Sequence, residues 1–593
     1  MAETVTEKEI DRKELAVKFK SVIAEIRGRR QAVDEENLKA HAAWIGVQTY
    51  SYYESEFKHF IPAFRRTIEK TVTRVMEQLM PHAEFYNIFP GSEMDDTSDA
   101  GLVPTHRYMD WLLTDHIKIR RVVKQLVRTY LLYARCIVKN TIRLYDFPKM
   151  KMGKVEGSIR QIWPTSRAVD PFAFYIWPET ASNIEDSVIA FEDVVIPFQE
   201  YQEAVAANPD ITPINQDDLQ DPVWPESLTQ RLDRVGMTEP KAFFAGGETD
   251  KKNLAKQHFV QLSELYFKGG QGRWLMGWLV WNIKEGPIFT RLQFNRYPRP
   301  PYRLSVAREL PNEHYTPGMG QDIESLQVLL NDQFNQGEEA RAVSSGPPVI
   351  LDPARVKRAD TYIFGYRRKW YGDPAGVQML QVPDTSQSSL RALSFTLAYM
   401  EGAGPSPLMQ GQTPRGMPRG SQAVSQLMSM AGADLVDIAT SIEEDVLTPT
   451  IQDLYDLTVA FTSEDQILAI PGAEDFKPIV LSMNEVFGGY HFKWAGSKRF
   501  QDKQADAQQA MLFMQNLMRM GDTIAQEGWK IDWATATRVL WKDIIGERRL
   551  ANIITRMTPE EIQQRAQMMQ MMMQAQGGGP TARPKPGPQA GGA

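Results

Sequence analysis

One cysteine, Cys136, occurs in 593 residues, so no disulfide can form within the chain. It sits in the apolar run YLLYARCIVK, which marks it as a packing residue in a protein assembled inside a cell. No uninterrupted apolar run is long enough to cross a bilayer. The N-terminal MAETVTEKEIDRKELAVKFK is charged throughout, which speaks against a signal peptide. Positive charge is not in excess either: 67 Lys and Arg face 74 Asp and Glu, a net charge of -7. Any contact with nucleic acid must therefore be local or weak. HExxH, paired CxxC and GxSxG motifs are missing, and the eight histidines are scattered. The spacing Gly411 to Gly416 superficially matches a phosphate loop, but Met417 stands where Lys is required. The chain thus offers no recognisable catalytic motif, and an enzymatic reading would need an unfamiliar site.

What is present is a large amount of foldable chain. Its length exceeds what one hydrophobic core serves and predicts several domains, and 42% hydrophobic with 24% charged residues is the composition of a globular protein. Residues 7–77 read as helical, with apolar Ile10, Leu15, Val17, Phe19, Val22 and Ile23 among charges. The aromatic cluster Trp44, Tyr50, Tyr52, Tyr53, Phe57 and Phe60 reads as core packing. The acidic stretch SEMDDTSD lacks the Asp/Asn and Gly spacing of a calcium loop and reads as a solvated turn. A further helix is expected from His106 to Ile137. Alternation and β-branched residues then take over in RCIVKNTIRLYDF, FAFYIW and DSVIAFEDVVIPF, and again across residues 258–296. Trp274, Trp278 and Trp281 there fit one face of a half-buried sheet. The Pro-, Asp- and Gln-rich residues 208–240 suggest an insertion.

From Tyr315 to Arg419 the order is helix, basic aromatic module, helix, Pro/Gly/Arg loop. Gln321 and Asp322 occupy a first helical turn, and Ile323, Leu326, Leu330 and Phe334 recur at three and four on one face. Leu390, Leu393, Leu397 and Met400 repeat that logic before Gly402. Between the two helices, Arg355, Lys357, Arg358, Arg367, Arg368 and Lys369 interleave with aromatics that include Trp370 and Tyr371. That mixture suits nucleic acid or a protein interface, and the acidic whole favours the interface. The loop from Gly402 to Gly420 holds four prolines and has no core of its own.

A helical stretch is expected from Ser421 to about Leu447, with a break or kink at Pro449. Strands return over residues 466–494, and helices follow beyond Ser497. The last helix begins Thr558-Pro559 with Glu561 in capping-box position and carries a methionine-rich run from Met568 to Met573 that suits side-by-side packing of identical helices and equally the core of a monomer. The tail GGGPTARPKPGPQAGGA, whose only apolar side chains are alanines and prolines, cannot build a core. Glu443, Glu444 and Asp445 could be imagined as a nuclease cluster, although a solvated or intersubunit face suits them better.

Three stretches carry a family resemblance: AVDPFAFYIWPETASNIEDSVIAFEDVVIPFQEYQEA, PPYRLSVARELPNEHYTPGMGQDIESLQVLLNDQFNQ, and GAGPSPLMQGQTPRG followed by a long helix. In composition and order they resemble the portal, or head-to-tail connector, proteins of tailed bacteriophages, most closely those of short-tailed phages, from about Trp44 to Gln576. The resemblance implies a mainly helical α+β portal fold with wing, stem, clip and crown parts, assembled as a ring, typically a dodecamer, at one capsid vertex of the virion after assembly in the host cytoplasm. By order, residues 1–320 would form the wing, 321–342 and 388–401 the stem helices, 343–387 the clip and 402–420 a tunnel loop. Residues 421–497 would be a long helix with the return to the wing, 498–576 a crown or short barrel, and 577–593 a disordered tail. Stem packing would fall to Ile323, Leu326, Leu330, Phe334, Leu390, Leu393 and Leu397. The clip would dock terminase and a tail or adaptor protein through Arg355, Lys357, Arg358, Arg367, Arg368, Lys369, Trp370 and Tyr371. Gln410, Gln412, Arg415 and Arg419 would line the channel for non-specific passage of double-stranded DNA. Further partners would be the major capsid protein and a scaffolding protein, with no membrane, metal or cofactor. Another virion ring or tail-adaptor protein is the alternative that shares this composition.

Overall fold

The computed structural model describes residues 12–496 other than 82–84, 91–96, 152–153, 182, 222–257, 270–271, 296, 298, 312, 346–348, 353, 356–373, 380–385, 403–432, 463–466, 472–477, 483–485 and 487. The chain divides into two compact units, residues 1–497 and 498–593. The expected crown helices and tail, which make up the second unit, lie outside the described residues. So do most of the acidic stretch and most of the residues 208–240. Among the described residues the fold is mixed, with helices and antiparallel strands interspersed along the chain. Among the described residues, no helix is long and apolar enough to cross a membrane.

Helix α1 (Arg12–Ile45) ends at Gly46, whose φ of +95° only glycine adopts without strain, and α2 (Ala63–Leu79) follows. Residues 46–62 between them are not helical, which corrects the expectation of helix throughout 7–77. Phe64, Ile68, Val72, Val75 and Leu79 form one buried stripe of α2. After β1 (Tyr86–Pro90), α3 (Thr97–Trp111) runs through a π-helical turn at Leu112–His116 towards α4 (Ile119–Tyr133). Val123, Leu126, Val127 and Tyr130 of α4 meet the α2 stripe in the largest core. Ala134, at φ 61°, turns the chain into β2 (Arg135–Lys151), so Ile137 lies in a strand and not in the expected helix.

β2 pairs along its length with β3 (Lys154–Ala168) as a long antiparallel ribbon. Next come β4 (Phe174–Trp177), β5 (Ile189–Pro197), α5 (Phe198–Ala207), β6 (Phe259–Lys268), β7 (Trp274–Val280) and β8 (Ile288–Phe294). The five strands form an antiparallel meander in sequence order. Side chains alternate across it. Phe191, Leu265, Leu279 and Phe289 face Phe19, Ile23 and Ile26 of α1, whereas Ile176, Ala190, Tyr266 and Trp274 face Ile137 and the strand β9 (Tyr302–Val306), which joins a second sheet in the order β3-β2-β9. The three tryptophans do not share a face. Trp274 packs between the sheets, Trp278 on the α5 cluster and Trp281 on the α1 side, because the odd spacing from 278 to 281 reverses the side-chain direction.

Helix α6 (Met319–Ser345) starts against the end of α4, where a Cβ on Gly320 would collide with the Leu132 carbonyl. Two short strands, β10 (Val349–Leu351) and β11 (Val377–Met379), pair antiparallel before α7 (Ser386–Gly402). Helix α8 (Ala433–Ile442), a π-helical turn at Glu443–Leu447 and α9 (Thr448–Phe461) then run without a break in helical backbone. Pro449, expected to mark a break or kink, lies in this continuous run directly after the π turn that interrupts the α-helical pattern. Its missing N–H falls in the first turn of α9, and the wider π turn before it relieves the clash with a preceding carbonyl. The strands β12 (Ile467–Pro471), β13 (Pro478–Ser482) and β14 (Tyr490–Trp494) follow as expected, and β14 pairs with β1.

Two polar clusters join these layers. Between the sheets, Lys139 Nζ lies 3.1 Å from Glu192 and 2.6 Å from Glu264, and Arg167 lies 2.7 Å from Glu192. On α9, Asp453 accepts hydrogen bonds from Arg299 at 2.6 Å, Arg303 at 2.8 Å and Asn140 at 3.0 Å, tying the helix to β2 and β9 of the second sheet.

Candidate functional site

α6 is the element around which the candidate site is built. Ile323 and Leu330 face the large core, while Glu324, Gln327, Asn331, Asp332 and Asn335 form a second, buried polar stripe at helical spacing. This stripe holds residues 46–62 as an extended strap. Gln327 accepts from the Phe64 amide at 2.7 Å and donates to the Ile61 carbonyl at 2.6 Å. Asn331 accepts from the Ile61 amide at 3.0 Å, and Asn335 takes both backbone groups of His59, the amide at 2.9 Å and the carbonyl at 3.2 Å. Asp332 accepts from the amides of Tyr52 at 2.6 Å and Tyr53 at 3.3 Å, and from Gln48 at 2.8 Å. The Tyr50 hydroxyl donates to Glu324 at 3.0 Å. Burial raises the Glu324 carboxyl above its ordinary range, an effect this bond opposes.

The ladder has a plain physical reason. A backbone without regular secondary structure still has to pair its buried N–H and C=O groups, at a cost of about 1–3 kcal/mol for each one left unmade. Glutamine, asparagine and aspartate on α6 do for the strap what a neighbouring strand would do in a sheet. The signal stands in the sequence as Gln327, Asn331, Asp332 and Asn335 at three- and four-residue spacing, but a search for apolar periodicity passes over it. The aromatic cluster accordingly is not all core: Tyr52 and Tyr53 are 54% and 50% exposed.

The other flank of α6 packs on α7. Thr396 donates to Gln333 at 2.9 Å, and a Cβ on Gly337 would lie 3.2 Å from the Ser389 Cβ, so higher positions on α6 meet lower ones on α7 and the helices run antiparallel. Of the expected stem residues, Ile323 and Leu330 are buried, and Leu326, Leu393 and Leu397 are partly buried against the same core. Phe334 is half-buried and lies edge-on to His59, with ring centres 6.0 Å apart. Leu390, also expected in stem packing, is 56% exposed.

β10 and β11 bring together the two ends of the basic aromatic module. Arg355 is exposed, with Nε 3.6 Å from Asp352. Lys357, Arg358, Arg367, Arg368, Lys369, Trp370 and Tyr371 lie outside the described residues, as do Gln410, Gln412, Arg415 and Arg419 in the loop. The carboxylates at the π turn separate: Glu443 is buried, while Glu444 and Asp445 line a cavity of about 270 Å³ with Glu185, Arg299 and Arg303. Asp445 accepts from the Ser305 hydroxyl at 2.7 Å, and burial raises its carboxyl. Both arginines of the cavity are already paired with Asp453. Among the described residues, no group of three or more His, Cys, Asp or Glu side chains is placed to hold a metal ion. No protein-family model matches the chain, and no curated protein matches it.

Proposed function

We propose that this chain is a phage portal protein, a ring subunit whose work is to give DNA a passage into and out of a capsid. The observation that supports this reading is the path of the chain through α6 and α7. It leaves the body on one helix, returns on an antiparallel partner, and carries between them a module whose base is closed by β10 and β11. That is the order expected of stem, clip and stem, with the Pro/Gly/Arg loop following. The module would dock terminase and the tail or adaptor protein, and the loop would reach the DNA. Heterologous contacts repeated from copy to copy close a ring when the rotation between copies closes.

Electron microscopy of the purified protein tests the reading. Radially symmetric rings with a central channel are expected, and a monomer that persists across salt and protein concentration overturns it. Terminase binding to those rings then selects a portal, and its failure selects a tail adaptor.

A further inference from the structure

Two exposed aromatic surfaces lie on different flanks of α6, and neither has a partner within the described residues that covers it. On α7, Arg391, Phe395 and Tyr399 recur at every fourth position, and Phe395 and Tyr399 are 74% and 64% exposed. This stripe faces away from α6, since the packing side of α7 is Leu393, Thr396, Leu397 and Met400. On the strap, Tyr52 and Tyr53 project at half exposure beside the exposed carboxylates Glu54 and Glu56. The strap binds α6 at Gln327, Asn331 and Asn335, whereas α7 meets it at Gln333 and Gly337, on average roughly 140° round the helix at about 100° per residue.

We propose that the strap of one copy docks on the α7 stripe of the next, with Tyr52 and Tyr53 against Phe395 and Tyr399 and with Glu54 and Glu56 facing Arg391. This inference rests on the ring reading above and names the surfaces that would carry it. Three observations select a second copy as the occupant. The two patches are both aromatic, and Glu54 and Glu56 outweigh Lys58 to give the strap a net charge opposite to that of Arg391. Their separation on one helix also suits a head-to-tail contact, in which each copy uses one patch on either side and none is left over except at the ends of an open chain. Tyrosine, phenylalanine and arginine are the side chains enriched in the centres of protein interfaces. Asp332 strengthens the case, because its bonds to the Tyr52 and Tyr53 amides hold the strap in place before docking and lower the ordering cost.

Cysteine pairing tests this directly, since the native Cys136 is buried and will not interfere. Full-length protein carrying Tyr53→Cys together with Tyr399→Cys, and in parallel Tyr52→Cys with Phe395→Cys, is assembled, oxidised and run on a non-reducing gel. A ladder of multimers from a double variant, with no ladder from either single variant, is the expected result. As a second readout, Arg391→Glu should lower the ring fraction at least ten-fold, and Glu54→Lys with Glu56→Lys should restore it. Rings that form normally with no ladder and no effect of Arg391→Glu overturn this interface and leave the ring reading standing. Wild-type protein that forms no rings under any condition overturns the ring reading itself, and the interface with it.

Discussion

His314 shows how much a single residue can carry. It is buried, and burial, followed by the nearby charges of Arg135 and Arg30, pushes its pKa down to about 3. The unfolded chain binds a proton there below about pH 6.5, and the folded chain does not. Stability from neutral His314 is therefore complete above that pH and declines as pH falls towards about 3, by at most about 1.4 kcal/mol per unit. Urea midpoints at pH 7 and pH 5 should differ less in His314→Gln than in the parent, and equal differences would remove this residue from the acid response. At Glu192, burial alone would raise the carboxyl, but Lys139 and Arg167 outweigh it and hold the group below its ordinary range. That contribution is present above the usual carboxylate range and is lost only as pH falls below it. Lys139→Met leaves Glu192 and Glu264 buried without their shared cation, and chemical denaturation should show a loss of about 3–5 kcal/mol. None of these roles is legible from the sequence, where His314 is one of eight scattered histidines and Lys139 one charge in a strand.

Elements were easier to read than their relations. The stripes of α2, α6 and α7 and the alternation of β4 to β8 follow from the spacing of apolar residues, because a helix or strand must bury one side whatever it packs on. Residues 46–62 are not helical, although they lie within the stretch that apolar periodicity marks as helix. What keeps them extended is the polar stripe of α6, some 270 residues further along the chain. Asp332→Ala removes a charged acceptor from two strap amides and one side chain, with each such bond worth about 1.5–3 kcal/mol. Hydrogen exchange at the Tyr52 and Tyr53 amides should accelerate ten-fold or more while the α2 amides stay protected. Unchanged exchange would show that the strap is held by its aromatic contacts instead. The π turn at Glu443–Leu447 is a second relation that spacing could not show, since a proline in a helical pattern usually signals a stop.

At the scale of the whole molecule, an acidic chain offers DNA few places to hold it. Dense neutralisation of phosphate would arrest a sliding duplex, so under the proposed function contact is confined to a few cations. Charge reversal at Arg415 and Arg419 should impair DNA packaging or retention while rings still form, and the remaining retention should weaken less steeply with added salt. Packaging at the parental level would remove these arginines from the channel. The acidic balance is visible in composition alone, whereas the surfaces through which copies would meet are not, because Tyr52 and Phe395 are more than 300 residues apart.

The sequence by itself determined most of the local periods, though not the strap at residues 46–62: which other stretches coil or extend, where the chain leaves on one helix and returns on another, and the absence of recognisable catalytic motifs. Those features depend on neighbours within a few positions. The tertiary structure alone decided which polar residues are buried and which aromatics stay exposed, since burial is set by what lies opposite across the fold. Gln327 and Phe395 make the point on the two faces of one helical pair: a polar residue taken inside because a bare backbone needs it, and a large ring left outside because the face of α7 that carries it is turned away from α6.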